Sequence, residues 1–356
     1  MRQISRRVRH PRVKAFLFLS LCALLLAFDP APAQTNFYQG KTMTYIVNMS
    51  PGDSPDLWAR AVARNMVKHI PGNPNIVPQN MPGGGSMIAA NYLYNVAKPD
   101  GLTVGAVSAN LYFRQLTGSK ETQFDWRKFT WIGSSSRLAS LLIMRADAPY
   151  KSIDDIRAAS EPPKCSTTAL GSTSHITLKI IEEGLGAKFK IVSGYKSGSD
   201  QDLAVERGEV QCRAVTTAAF LAREPFQTWQ KKGFIRVLVQ TPRMRNPKLP
   251  DVPTVHELMD RFRTPDGNRR AISVMLGADD FGNFPTAAPP GIPVDRVKIL
   301  REAYTKTLKE PDFLGEAKKR NWEIDQISGE ELEALAKDVI DQPPQIIERI
   351  KELLGS

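Results

Sequence analysis

From residue 41 onward, short β-prone apolar runs alternate with glycine-rich turns and with segments whose apolar residues recur at helical spacing. Thr44–Asn48 reads as a strand, broken by Ser50-Pro51-Gly52-Asp53-Ser54-Pro55, after which Leu57, Trp58, Ala61, Val62 and Met66 make one helical face. Asp53 or Ser54 fits the N-cap of that helix, and Pro55 and Asp56 fit its first turn. Asn75–Val77 is extended, Pro82–Gly85 turns, Met87–Val96 reads as a helix and Leu102–Val107 as a strand. The pattern then repeats as strand Lys164–Thr168, turn Gly171–His175 and helix Ile176–Gly184. Strand Lys188–Val192, turn Gly194–Ser199, helix Asp200–Arg207 and strand Val210–Thr216 follow. This alternation predicts an α/β protein with parallel-rich sheets flanked by helices.

Two extended apolar segments, Phe129–Met144 and Phe234–Gln240, bracket the second set. They predict two crossing strands, so that the chain leaves a first domain, builds a second, and returns. The first domain is completed by a strand over Ala271–Gly277, a proline-rich loop over Asp280–Pro293, and helices over Asp295–Leu308, Asp312–Arg320, Gly329–Ile340 and Pro344–Leu354. The last helix sets Ile346, Ile347, Ile350, Leu353 and Leu354 on one face. Residues 34–138 with 240–356 then form a discontinuous domain one, and 139–239 form domain two. A length of 356 residues suits two domains, and 42% hydrophobic with 24% charged residues excludes a mainly disordered chain.

The formal charge of +11 belongs partly to the N-terminus. Arg2, Arg6, Arg7, Arg9, Arg12 and Lys14 precede the apolar run Ala15–Phe28 and the small-residue site Ala31-Pro32-Ala33. This reads as a secretory signal peptide over residues 1–33, cleaved after Ala33. Its apolar run is shorter than the about 20 residues a membrane span needs. Cleavage removes these six cations and Asp29, leaving half the basicity, which suits an anionic small ligand or a membrane surface. Cys22 follows Leu21, where a lipoprotein site wants a small residue. The expected product is a soluble periplasmic protein that binds no nucleic acid.

Cys165 and Cys212 remain in a compartment where disulfides form, although two buried thiols are equally in keeping with the sequence. His69, His175 and His256 lie far apart without metal-ligand spacing, so neither a metal nor a cofactor is expected. Gly83-x-Gly85 lacks the third glycine of a dinucleotide fingerprint, with Ile88 in its place, and no G-x-S-x-G elbow occurs. An exported hydrolase would rest on the Ser172, Thr173, Ser174, His175 cluster alone. The turns Ser50–Ser54, Gly83–Ser86 and Gly171–Ser174 each lead into a helix, where small hydroxyls and bare backbone N–H groups hold a carboxylate or phosphate. Such turns are also ordinary strand-to-helix punctuation; three that converge on one cleft favour a binding site. Trp58 is by default a core residue, its alternative being to reach the cleft and stack on a ligand.

The order of segments resembles the periplasmic substrate-binding proteins of tripartite tricarboxylate transporters, the Bug family. The matching pieces begin with Ser50-Pro51-Gly52-Asp53-Ser54-Pro55-Asp56-Leu57-Trp58-Ala59-Arg60, Pro82-Gly83-Gly84-Gly85-Ser86-Met87-Ile88 and Pro99-Asp100-Gly101-Leu102-Thr103. They continue with Gly171-Ser172-Thr173-Ser174-His175, Gly194-Tyr195-Lys196, Arg207-Gly208-Glu209-Val210, Leu249-Pro250-Asp251-Val252-Pro253-Thr254 and Ala288-Pro289-Pro290-Gly291-Ile292-Pro293. The resemblance implies a two-domain clamshell that closes on a small carboxylate and delivers it, as a monomer without catalysis, to membrane permease subunits. A variant of the same reading has the chain present its ligand to a sensor. By resemblance, Ser50, Pro51, Gly52, Asp53, Ser54, Ser108, Ala109 and Asn110 form the domain-one side of the site. Gly171, Ser172, Thr173, Ser174, His175, Tyr195, Thr216 and Thr217 form the domain-two side. Asp53 stands where the family commonly has a second glycine, and Val215-Thr216 where many relatives carry an aspartate, whose loss favours a ligand without an amino group or with a different polar pattern. If the domain-two sheet has the usual order, Cys165 and Cys212 lie on neighbouring strands and can bond, a closure worth about 4 kcal/mol.

Overall fold

A computed structural model describes residues 37–168 and 172–354. The expected leader, Cys22 and Gly171 lie outside the described residues. In chain order the elements begin with β1 (Thr42–Val47), α1 (Ser54–Met66), β2 (Asn75–Asn80), α2 (Met87–Asn95), β3 (Thr103–Ala106) and α3 (Tyr112–Leu116). Next come β4 (Thr130–Ser134), β5 (Ser140–Arg145), α4 (Ile153–Ala158), β6 (Lys164–Thr167), α5 (Thr173–Leu185), β7 (Lys190–Ser193), α6 (Gly198–Glu206) and β8 (Cys212–Thr216). These are followed by α7 (Thr217–Ala222), α8 (Phe226–Lys231), β9 (Ile235–Gln240), α9 (Val255–Arg261), α10 (Asp266–Phe281) and β10 (Thr286–Ala288). The chain closes with α11 (Val294–Thr307), α12 (Pro311–Lys319), β11 (Ile327–Ser328), α13 (Gly329–Ile340) and α14 (Pro344–Leu354).

The strands make two mixed sheets. The larger runs β11-β4-β10-β3-β1-β2 and the smaller β7-β6-β8-β5-β9. β1 pairs in parallel with β2 and β3, and β6 in parallel with β7 and β8, so each sheet keeps the strand-turn-helix pattern the sequence announces. The remaining pairings are antiparallel. Cys165 and Cys212 face each other in the β6–β8 register and form a disulfide, Cα–Cα 4.5 Å, across 47 positions.

The Phe129–Met144 segment crosses from one sheet to the other as two strands, β4 in the larger and β5 in the smaller, joined by residues 135–139, and Phe234–Gln240 gives β9 in the smaller sheet before the chain returns. One expectation is corrected. Ala271–Gly277 is helical, the middle of α10, and its place in the larger sheet is taken by β10, inside the stretch expected to be loop. A short apolar run fits a buried strand and a buried helix equally, and only the extent of the element separates them.

α10 links the two halves. Its Ala271, Ile272 and Met275 share one buried cluster with Trp126 and Trp131 near the larger sheet and with Leu142, Leu178 and Ile181 near the smaller. It ends where the 135–139 connection lies against it: Leu138 N–H donates to Asp279 O at 2.8 Å and Asn283 N–H to Ser136 O at 2.8 Å. Gly282 makes that approach possible, since at φ +77 a Cβ would stand 2.0 Å from Ser136 O. Thr264 Oγ1 donates to Gly184 O on α5, and Arg349 of α14 pairs with Glu183 of α5 at 2.5 Å. Among the described residues, no helix is long and apolar enough to cross a membrane.

Candidate functional site

Between the sheets lies a cavity of about 260 Å3 with mainly apolar walls, among them Val107, Phe113, Ile176, Met275 and Phe284. It adjoins a polar cavity of about 470 Å3, the two sharing Asn110, Thr173 and Thr177. Both lie at the carboxyl ends of parallel strands, where helix N-termini and backbone N–H groups collect.

On the larger-sheet side the chain leaves β1 at Asn48, which is buried. Its Nδ2 donates to Ser86 Oγ at 3.1 Å and Ser108 Oγ at 3.0 Å, and Ser108 Oγ donates to Ser86 Oγ at 2.7 Å. Asn48 Oδ1 has no partner and the residue lines the apolar cavity. The loop that follows is held from below by Asp56, whose carboxylate accepts from Gly52 N–H at 2.9 Å, Asn80 Nδ2 at 2.9 Å and Arg60 Nε at 3.0 Å. Burial pushes this carboxyl up, but the Arg60, Gly52 and Asn80 hydrogen bonds outweigh it and bring it down to about 2. Asp53 is exposed and reaches back to accept the Ser50 N–H at 3.1 Å.

On the smaller-sheet side α5 begins with Ser172 as N-cap, its Oγ accepting the His175 N–H at 3.3 Å. Thr173, Ile176, Thr177 and Ile180 turn one face of α5 to the cavities. In the polar cavity, Gln201 is buried with Oε1 unpartnered. Asp202 is held between two guanidinium groups, Arg213 and Arg223, the latter at 2.6 Å. Two cations against one carboxylate leave this wall net positive. The apolar cavity has a different charge: among the described residues its one charged lining residue is Asp279 of α10, which accepts from Thr241 Oγ1 at 2.9 Å. Burial pushes the Asp279 carboxyl up to about 7, against the Thr241 hydrogen bond and with Asp280 adding to the rise. Among the described residues, no group of three His, Cys, Asp or Glu is placed to hold a metal.

The model of the tripartite tricarboxylate transporter family receptor, TctC, matches residues 58–352. The chain belongs to that family. It is 26% identical over 349 residues to the "UPF0065 protein in gbd 5'region" of Cupriavidus necator, covering 96% of this chain and 97% of that protein. A TctC solute-binding protein from Polaromonas shares its fold at TM-score 0.69, with 21% identity over 89% of this chain and 99% of that one. MatC from Rhodopseudomonas palustris, solved with bound malate, does so at TM-score 0.54 and 20% identity, over 88% of this chain and 99% of that one. The protein is therefore a solute-binding receptor with the two-domain fold of periplasmic binding proteins, of a kind that works with tripartite transporters.

In this TctC receptor the expected site residues fall into three groups. Ser108, Ala109, Asn110, Thr173, Ser172, Ser174 and Thr216 line the cavities, Thr216 with its Oγ1 accepting the Ala219 N–H. Ser50, Pro51, Gly52, Asp53 and Ser54 are exposed, and of that segment only the neighbouring Pro55 lines a cavity wall. Trp58, His175, Tyr195 and Thr217 are placed elsewhere. Trp58 is fully buried, stacked on Phe284 at 4.9 Å and edge-on to Phe313 and Trp322, so it backs the cavity wall instead of meeting a ligand. His175 lies about 160° around α5 from Thr177, on the face turned away from the cavities, where burial pushes its pKa down. Tyr195 packs on the Phe220–Trp229 cluster, and Thr217 is buried beneath Thr216.

The residues that sequence reasoning missed are Asn48, Gln201, Arg213, Arg223 and Asp279. Arg213 carried a signal, since a cation inside the run Cys212–Val215, whose other residues are apolar, needs a buried partner. Asp279 carried one too: read as a helix, Ala271–Asp280 sets it four residues after Met275, on the buried face.

Proposed function

We propose that this receptor is exported, loses residues 1–33 by cleavage after Ala33, and acts in the periplasm as a monomer that performs no chemistry. Residues 34–138 with 240–356 form one lobe and 139–239 the other, and they close on a small carboxylate that bridges them. The observation that carries the reading is the net-positive polar cavity, where the buried amide of Gln201, the start of α5 and the Arg213–Asp202–Arg223 cluster converge. An anion seated there meets helix N–H groups and excess guanidinium charge, while its body enters the apolar cavity. The malate bound by MatC is a ligand of this chemical class. Closure around it presents the receptor to the permease subunits.

Thermal unfolding of the chain from Gln34 against mono-, di- and tricarboxylates tests this. A ligand at 100 times its Kd adds about 2.7 kcal/mol, which moves the transition by several degrees. An unchanged transition with every carboxylate overturns the reading.

A further inference from the structure

The cleft is lopsided in charge. The polar cavity is lined by two guanidinium groups, Arg213 and Arg223, which share the one carboxylate of Asp202 behind them, whereas the wall of the apolar cavity carries Asp279. The arginines at the junction are engaged elsewhere, Arg243 with Asp280 at 3.6 Å and Arg137 with Glu331 at 3.5 Å. Asp279 Oδ2 accepts from Thr241 Oγ1, which itself accepts the Ser140 N–H at 2.9 Å, so the carboxylate is fixed in place without a counter-charge.

Shared lining residues locate it. Asn110, Thr173 and Thr177 mark the side where the apolar cavity opens to the polar one. Leu138 and Asp279 mark the side where it abuts a third cavity of about 460 Å3 behind the junction. An acid with its carboxylate among the arginines therefore extends its body along the apolar wall toward Asp279. A methyl at the far end offers Asp279 nothing, and a second carboxylate meets a like charge in a poorly solvated wall unless Asp279 takes up a proton, at a cost that grows with pH. An ammonium or hydroxyl donates to it, and the charge-assisted form is the stronger.

We infer that Asp279, positioned by Thr241, is the specificity-determining contact for the end of the ligand remote from its carboxylate, and that the cleft takes acids with an apolar body and a hydrogen-bond donor at that end in preference to dicarboxylates. The inference rests on the receptor reading above and narrows its ligand class. The carboxyl's displacement toward neutrality fits a group that takes up full charge when a donor arrives.

Calorimetric titration of the purified protein with two matched series tests it: hexanoate, adipate, 6-hydroxyhexanoate and 6-aminohexanoate, and the rigid benzoate, terephthalate, 4-hydroxybenzoate and 4-(aminomethyl)benzoate. In the skeleton that fits, a donor-bearing member is expected to bind about tenfold or more tighter than the dicarboxylate. Asp279→Asn is expected to bring that ratio to within about threefold, partly by tightening the dicarboxylate. A dicarboxylate bound as tightly as the donor-bearing acids by the unmodified protein overturns the inference, and that ranking decides even if the variant misfolds. An unchanged ratio in a folded Asp279→Asn protein overturns it as well. If neither series binds but other carboxylates do, the inference falls and the receptor reading stands; if no carboxylate binds, both fall.

Discussion

Asp56 and Asp279 stand beside the same cleft, one under the loop that follows β1, the other on α10. Asp56 gathers Arg60, Asn80 and the Gly52 N–H and is drawn down to about 2. Asp279 has Thr241 and rises to about 7. Burial pushes both carboxyls up, far more at Asp279, and only at Asp56 does the fold supply enough donors to outweigh it. Where donors saturate a carboxylate, it organises the backbone around it. Where they are too few, the remaining acceptor capacity is open to whatever enters the cleft.

Asp202 extends the comparison and gives the largest expected effect. Asp202→Ala leaves the buried Arg213 without its ion-pair partner, and urea unfolding is expected to show a loss of about 3–5 kcal/mol. A loss below about 1 kcal/mol would mean that the saturated carboxylates do not hold this wall together.

Asp56→Ala comes next, at about 2 kcal/mol, because it frees several donors at once. Its pH dependence has a definite sign. The folded carboxyl lies below the ordinary 3.8, so its stabilisation is complete above that pH and disappears as pH falls toward about 2. The gap between wild type and variant is expected to shrink over that window in acid titrations of unfolding.

Asp279→Asn is expected to act in the opposite direction. The folded carboxyl lies above the ordinary value, so the wild-type protein loses stability as pH rises from 3.8 through about 7, and the asparagine variant does not. The variant should be the more stable at pH 8, by about 1–2 kcal/mol, with the difference least near pH 4. Asp280 shares this wall and faces Arg243 and Arg137, so the comparison requires both arginines intact. A variant less stable than wild type at pH 8 would place Asp279 with Asp56 as a structural carboxylate.

The smallest effect on the fold is expected from Arg223→Ala, at under about 1 kcal/mol, because this half-exposed side chain leaves Asp202 its bond to Arg213. Carboxylate affinity should nevertheless drop several-fold in calorimetry, since the wall loses its excess positive charge.

How much of this the sequence revealed depends on which forces act locally. Gly329–Ile340 and Pro344–Leu354 are helices over the expected residues because their signals are self-contained: Ser328 and Glu331 form a capping box, and the last helix carries an apolar face. β10 has three residues among prolines, too few for a periodic signal, and it exists because β3 and β4 lie on either side of it. The hydroxyl-rich turns were legible as candidate anion holders. Asp279 and Arg213 left only a hint of burial, because each gains its meaning from partners elsewhere in the chain, Thr241 for the first and Asp202 for the second. Trp58 shows the converse, since only Phe284, Phe313 and Trp322 decide that its ring is covered.

α10 has a mechanical consequence. At the usual helical rise its 16 residues make a strut of about 24 Å, braced against α5 early in its course, bordering the cleft at Met275 and Asp279, and abutting the interlobe connection at its end. A hydrogen-bonded helix resists compression far more than a loop does. A push against its middle is therefore expected to reach Gly282 and Asn283, beside the 135–139 connection, as displacement of one rod instead of being absorbed as local flexing.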